Sequence, residues 1–158
     1  MKILYLESNR LNNEKIKFHS EKIKKNKNIL VLILNNNSIN SDGDFHLVNL
    51  IAFYKNLKQL YLSHNHLIEN NLNSLFNITL NNKLTLNVLN LSYNDFESKD
   101  FKSHSNFIKD DSNVNNLNLA GNLLDLNSAQ ILGISFIIIN NNKNNCNSKK
   151  IILSEMGY

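Results

Sequence analysis

The sequence predicts an α/β solenoid, in which short parallel strands line the concave side of a curved arc and helices cover its convex side. Two observations predict this fold class. An octamer with leucines at its first and third positions, an asparagine at its sixth and an apolar residue at its last recurs along the chain. After each copy, the spacing of apolar residues changes from two residues to about 3.6. Each unit is therefore predicted to be a strand, a turn, a helix and a loop.

The octamer occurs five times at a nearly constant interval. The steps between its third-position leucines are 28, 28, 29 and 28 residues. The chain has 34 asparagines in 158 residues, so composition could supply one such octamer but not the constant phase. These leucines are Leu6, Leu34, Leu62, Leu91 and Leu119. The octamers divide the chain into repeats near 1–28, 29–56, 57–85, 86–113 and 114–139.

The pattern L-x-x-L-x-L-x-x-N-x-L in these units resembles the leucine-rich repeat family. The interval of 28–29 residues is similar to that of the ribonuclease-inhibitor-like subclass, whose repeats are a strand followed by a helix. The resemblance covers residues 1 to about 139. It implies a single leucine-rich repeat domain over residues 1–158, and it indicates the fold far more specifically than the function.

The recurring asparagines are predicted to hold the coils together. Alternation within each strand sends its two leucines to the interior, and the asparagine then lies where the chain turns inward. Its amide both donates to and accepts from backbone groups that would otherwise be buried without partners. Stacked coils would place these side chains in a ladder, so we expect a structural role for them. The predicted ladder consists of Asn9, Asn37, Asn65, Asn94 and Asn122.

The first repeat predicts a basic amphipathic helix within residues 14–27, where Ile16 and Ile23 stand among six lysines. Such a helix could contact nucleic acid or an acidic membrane surface. The segment has no arginine, and Phe18 is its only aromatic residue. Lysines on the convex side of a solenoid are more often a solvated face, so neither nucleic acid nor membrane is the expected partner.

Apolar residues at helical spacing predict three further helices and one weaker one. The second and third repeats carry them over residues 45–53 and 72–80, and the fifth has them after Ser128, a predicted helix start. In the fourth repeat they are sparser, at Phe101, Phe107 and Ile108, so this helix is the least strongly indicated.

Both ends of the array are expected to be open. An Asn-rich insert at 140–150 precedes a predicted sixth strand at 151–153, which is followed by only five residues. Arrays of this kind need capping units with a polar outer face. We therefore expect self-association through the ends, or membership of a longer array.

Composition favours a cytoplasmic protein. The single cysteine, Cys146, permits no internal disulfide, which fits a reducing compartment. The N-terminal residues lack the long apolar core of a signal peptide, and the longest apolar run, 131–139, is too short to span a membrane. The net charge of +4 is mild and indicates no particular partner.

Function is expected to lie on the concave face, because the leucines are occupied by folding. Side chains from the third and fourth strands would form a cluster near its middle, and aromatic side chains commonly anchor protein interfaces. The sequence therefore predicts a binding surface for a protein partner of unknown identity. Its candidate residues are Tyr5, Tyr61, His64, His66, Tyr93 and Asp95.

Two sharper interpretations of this cluster are not favoured. His64, His66 and Asp95 could be three metal ligands, but the two histidines straddle an inward-turning asparagine. Nucleophilic catalysis would need an activated serine, whereas Ser63 and Ser92 are ordinary strand residues. The sequence contains no Walker loop, HExxH or kinase signature. No enzymatic activity, metal or cofactor is therefore expected.

The resemblance leaves two alternative functions open. Ran GTPase-activating proteins are built from repeats of this length, although in longer arrays that supply a functional arginine. Here only Arg10 stands at a concave-edge position. Actin-capping tropomodulin also ends in a short array of this kind, so a tropomodulin-like module is the other alternative.

Overall fold

The computed structural model describes residues 2–40, 44–81, 85–99, 113–133 and 150–154. Six parallel strands form one sheet in chain order, from β1 to β6. The strands are β1 (Ile3–Tyr5), β2 (Val31–Ile33), β3 (Gln59–Tyr61), β4 (Val88–Asn90), β5 (Asn116–Asn118) and β6 (Lys150–Ile152). The helices are α1 (Asn13–Ile23), α2 (Asp44–Phe53) and α3 (Glu69–Asn81), and residues 126–133 are also helical.

This arrangement confirms the predicted α/β solenoid. Each of the first three strands is followed by a helix before the next strand joins the sheet in parallel. β6 begins at Lys150, one residue before the predicted start, and its Ile151 pairs with Leu117. The apolar positions at 101–108 and most of the Asn-rich insert lie outside the described residues. No helix in the described parts of the chain is long and apolar enough to cross a membrane.

Two helix starts follow from local capping. The Asn12 side chain accepts a hydrogen bond from Lys15 N at 3.0 Å, which satisfies a free amide in the first turn of α1. The predicted helix start at Ser128 was wrong, because the helix already begins at residue 126. Asp125 is the capping residue, since its Oδ1 accepts from Ser128 N at 2.7 Å.

The strand leucines form the inner layer of the core. Register places one interior residue of each strand beside its equivalents in the neighbouring strands. The interior column is Leu4, Leu32, Leu60, Leu89, Leu117 and Ile151. The four inner members are fully buried, whereas the two end members are only partly buried. Each buried leucine stabilises the fold by about 2 kcal/mol, so the array gains stability from every neighbour that covers it.

A buried tyrosine ties the first two helices together on the convex side. Tyr54 follows α2, is fully buried, and donates its hydroxyl hydrogen to Ile23 O at the end of α1, at 2.7 Å. This bond satisfies one of the carbonyls that a helix end leaves without an intrahelical partner. Burial also raises the pKa of the Tyr54 hydroxyl above its ordinary value of 10.0.

Buried asparagine amides connect the coils where each strand ends. Asn65 Nδ2 donates to Leu62 O and Ser63 O of its own turn, and to Leu34 O of the preceding repeat at 3.0 Å. Its Oδ1 accepts from Ile39 N at 3.1 Å. Asn37 and Asn94 repeat the three donations with their own neighbours.

The ends of this ladder differ from each other. Asn122 makes the same three donations and is 1% exposed. Asn9, which the sequence places in the same register, is exposed, and its Nδ2 donates to Glu7 O at 2.9 Å. Asn9 follows β1, and no strand precedes β1 among the described residues. The Asn9 amide therefore has no carbonyl group of a preceding repeat to which it could donate. In the structure, the asparagine ladder therefore consists of Asn37, Asn65, Asn94 and Asn122.

We predict that Asn65→Ala lowers the free energy of unfolding by about 1–3 kcal/mol, because it leaves the buried Ile39 amide without its acceptor and removes one of the two amide donors from each of Leu34 O and Leu62 O. The measurement is urea unfolding followed by circular dichroism. Asn70→Ala is the matched control, since Asn70 is an exposed asparagine of α3 outside the ladder. Equal urea midpoints for the two variants would contradict the role assigned to the ladder.

We predict that Tyr54→Phe lowers the free energy of unfolding by about 1 kcal/mol at neutral pH, because Ile23 O loses its partner. Tyr5→Phe, at an exposed tyrosine, is the control and should change little. The raised pKa adds a pH dependence. The unfolded chain releases the tyrosine proton first, so stability is full below about pH 10 and falls as the pH rises further. Tyr54→Phe should reduce this alkaline loss in thermal melts, and an unchanged loss would argue against the assignment.

Candidate functional site

The turn after each of the first five strands has the same unusual backbone conformation. The residue directly before each motif asparagine has a φ between 53° and 65°, in the left-handed region that residues other than glycine seldom adopt. We call these residues the turn column. It consists of Ser8, Asn36, His64, Tyr93 and Gly121. Because neighbouring strands are in register, members of the column lie beside one another at the edge of the concave face.

Side chains of the turn column contact each other across the repeats. Asn36 Nδ2 donates to Ser8 Oγ at 3.2 Å. The rings of His64 and Tyr93 stack, with centroids 4.4 Å apart and planes 7° from parallel. Tyr93 remains 39% exposed, so this stack presents aromatic surface to solvent. The parallel strands thus bring together two of the predicted site residues.

Gly121 makes room for the stack. A Cβ atom added at Gly121 would lie 2.6 Å from Tyr93 Cε1, well inside van der Waals contact. The glycine also has a φ of 65°, which a side chain would strain. The Tyr93 ring therefore lies between His64 on one side and the bare backbone of Gly121 on the other. Gly121 was not among the site residues predicted from the sequence, although a glycine at this motif position was the available signal.

A histidine–aspartate pair lies next to the stack, two residues further along each chain segment. His66 Nδ1 is 3.3 Å from Asp95 Oδ2, and both side chains are more than half exposed. At this exposure the pair contributes little to stability. It does place a carboxylate and an imidazole beside the aromatic rings, where they are available to a partner.

The two remaining predicted site residues lie apart from each other. Tyr61, the last residue of β3, is partly buried, and its hydroxyl donates to Gln59 Oε1 at 3.0 Å. Tyr5 occupies the equivalent position in β1 and is 65% exposed. Ile33 of β2 stands between them in the register, which separates the two tyrosines by roughly 10 Å. The structure therefore groups Tyr61 with β4, and leaves Tyr5 at the sheet edge.

Leu123 extends the surface on the other side of Asp95. It follows the ladder asparagine of β5, as Asp95 follows that of β4, and it is 58% exposed. Its amide donates to Phe96 O at 2.9 Å, which holds it beside the fourth repeat. Leu123 was not among the site residues predicted from the sequence, although its position directly after the motif asparagine matches that of Asp95.

The serines beside the cluster have structural roles. The Ser92 hydroxyl donates to Asn90 Oδ1 at 2.8 Å, and the Ser92 amide donates to the same oxygen. Ser63 is buried, and its amide donates to Asn35 Oδ1 at 2.9 Å. Among the described residues, no three of the histidine, cysteine and acidic side chains come together in a way that could hold a metal ion.

The parallel sheet, the helices that follow β1, β2, β3 and β5, and the asparagine ladder define a leucine-rich repeat-type solenoid. The chain is similar to a solved structure of the Leiomodin-1 Actin-Binding Site 2 (ABS2), with a TM-score of 0.64 and 16% sequence identity. The similarity covers 90% of this chain and 84% of that chain. No protein-family model matches the sequence, and no curated protein matches it. At this identity, the likeness is one of fold.

We predict that Gly121→Ala disrupts the stack and lowers the free energy of unfolding by about 1–2 kcal/mol, because the added Cβ both strains the backbone and displaces Tyr93. NMR shifts of the His64 ring protons would report the loss of stacking. Gly133→Ala is the matched control, since that glycine is helical and has nothing within 4 Å of an added Cβ. It should leave the His64 shifts unchanged and stability equal or slightly raised. Unchanged His64 shifts in Gly121→Ala would refute this account.

Proposed function

We propose that the chain is a non-enzymatic interaction module that binds a protein partner on its concave face. The observation that carries the proposal is the partly exposed His64–Tyr93 stack, with ring centroids 4.4 Å apart. Aromatic side chains held rigidly at the centre of a surface are frequent hot spots of protein interfaces. The stack is fixed by its backbone and by Gly121, so little side-chain freedom is lost when a partner covers it.

The surroundings of the stack suit a protein surface. The Asp95 carboxylate and the His66 imidazole offer polar contacts on one side, and the exposed Leu123 side chain offers an apolar contact beyond them. An apolar and aromatic centre with polar groups around it is the usual composition of such interfaces. The proposed interface consists of Tyr61, His64, His66, Tyr93 and Asp95, with Leu123 added.

Binding rather than catalysis is supported by the structural roles of the two serines near the stack, Ser63 and Ser92. The Ser92 hydroxyl is engaged by Asn90, and the Ser63 side chain is buried in its turn. His66 is paired with Asp95 at the exposed surface, 3.3 Å apart. We further propose that the repeats are of the ribonuclease-inhibitor-like subclass, supported by their interval of 28–29 residues, and that the protein is cytoplasmic, supported by its single cysteine.

A second, more specific candidate is actin. It is favoured by the similarity to the Leiomodin-1 Actin-Binding Site 2, whose fold aligns with 90% of this chain. This corresponds to the tropomodulin-like alternative. The GTPase-activating alternative would rest on Arg10, which is exposed near the β1 edge with a φ of 52° and lies outside the cluster.

We predict that a Tyr61→Ala/His64→Ala/Tyr93→Ala variant loses partner binding by about a hundredfold or more, because it removes the aromatic centre of the surface. The measurement is affinity capture from a lysate with quantitative mass spectrometry, together with co-sedimentation with actin filaments. A Phe18→Ala/Phe45→Ala variant is the control, since both rings are exposed on helices and lie away from the concave face.

The outcomes separate the two candidates. Partners lost only in the triple variant support the concave interface, and actin among them supports the specific candidate. Actin sedimentation that is equal for the wild type and the triple variant would place actin binding elsewhere on the molecule. Partners that persist equally in all three proteins would refute the concave interface.

A further inference from the structure

The edge of the sheet at β1 carries a groove that the concave face does not include. Leu4 and Leu6 are only partly buried, whereas their equivalents in β2, Leu32 and Leu34, are 0% exposed. The difference arises because β1 has a neighbouring strand on one side only among the described residues. The leucine side chains therefore form an apolar floor that is open to solvent.

We call this feature the N-terminal groove; it lies between β1 and α1 and has a volume of about 620 Å³. Its floor is apolar, and every charged or titratable side chain that lines it is basic. The floor consists of Leu4, Leu6, Leu11, Ile23 and Ile29. The rim consists of Lys15, His19, Lys22 and Lys25, with Asn9 and Asn26.

Two ammonium groups of the rim are available to a ligand. Lys22 and Lys25 are exposed and have no acidic partner among the described residues. Lys15 is partly committed, because its Nζ donates to Arg10 O at 3.0 Å. The acidic residue nearest in sequence, Glu21, pairs with Lys24 at 3.9 Å and does not line the groove. The groove thus has an uncompensated positive rim above an apolar floor.

A second basic cleft adjoins it and strengthens the local positive potential. Lys24, Lys27 and Lys55 line this cleft, beside Phe53 of α2. The segment from Lys22 to Asn28 separates the cleft from the N-terminal groove, so lysines face both of them. Low-dielectric walls lined by one sign of charge concentrate the field and attract ligands of the opposite sign.

We propose that the N-terminal groove binds an acidic amphipathic segment of a protein partner. Apolar side chains of the segment would cover the leucine floor, and its carboxylates would face Lys22 and Lys25. Burial of the floor supplies the affinity, and the complementary charges supply the orientation and the rate of association.

Two other occupants fit the groove less well. A nucleic acid would use the lysines, but its phosphates would leave the apolar floor uncovered. A second copy that continued the sheet with its β6 would follow the register of neighbouring strands and place its exposed Lys150 beside Ile3, next to Lys2. Two copies of a chain whose net charge is +4 would in addition repel each other on association.

The test uses a fluorescein-labelled peptide in which leucines alternate with glutamates and serines, and a matched peptide with glutamine at every glutamate. Fluorescence anisotropy with the full chain should show at least tenfold tighter binding of the glutamate peptide, weakened by added salt. A Lys22→Glu/Lys25→Glu variant should bind that peptide about a hundredfold more weakly, since two attractive contacts become repulsive. Lys17→Glu/Lys58→Glu is the matched control, with the same change of charge at exposed lysines outside the groove.

Four results would overturn the proposal. Equal affinity for the two peptides would remove the role of the carboxylates. Equal loss in the two charge-reversal variants would mean that net charge alone attracts the peptide. Tighter binding of single-stranded oligothymidine than of the glutamate peptide, or a concentration-dependent dimer in sedimentation velocity that excludes the peptide, would assign the groove to a different occupant. Circular dichroism of each variant verifies that it is folded. A glutamate peptide with serine in place of every leucine should bind weakly, because it cannot cover the apolar floor of the groove.

Discussion

Hydrogen bonding by the ladder asparagines is the constraint on which the rest of this structure depends. A short strand that turns inward after three residues leaves carbonyl groups buried where no water reaches them, and each orphan is costly. One amide nitrogen serves two carbonyls of its own turn and one of the preceding repeat, as Asn65 does with Leu62, Ser63 and Leu34. Because every amide spans two repeats, adjacent coils are stabilised together, and no inner repeat closes its turn alone.

The same turns determine where binding side chains can stand. To bring the asparagine inward, the preceding residue takes a left-handed conformation, which directs its side chain along the edge of the sheet. The strands repeat this geometry side by side, so His64 and Tyr93 meet as parallel rings although they are 29 residues apart in sequence. The proposed interface is therefore preorganised by the requirement that closes the core, and its rings need no rearrangement to be presented.

Much of the fold was predictable because it follows from periodicity. A constant phase of leucines and asparagines specifies parallel strands in register, and the sheet order and the paired leucines of the structure agree with it. Asn9 was assigned to the ladder by its motif, yet it is exposed, because the ladder needs a carbonyl from a preceding coil. The start of the last helix was placed at Ser128 rather than after Asp125, because several polar residues near a helix end compete as caps.

The site was less predictable, since it depends on relations that no motif encodes. The pattern located Tyr61, His64 and Tyr93 on neighbouring strands, but the stacking of His64 on Tyr93 depends on the left-handed turn and on the missing Cβ of Gly121. Tyr5 shares the strand position of Tyr61, yet an intervening strand separates them. The basic rim around the leucines of β1 was also not predicted from the sequence, because its lysines were interpreted there as a solvated helix face.

Among the first five strands, the step between the third and the fourth has one residue more than the other three, yet Leu60 and Leu89 pair without a shift. Helix α3 has 13 residues, against 11 in α1 and 10 in α2, so extra length is accommodated behind the sheet. The length of the convex segment can therefore differ between repeats without changing how the strands of the concave side pair. A residue added behind the sheet thus changes the length of a helix or loop, whereas one added between a leucine and its asparagine would shift the register of the concave surface.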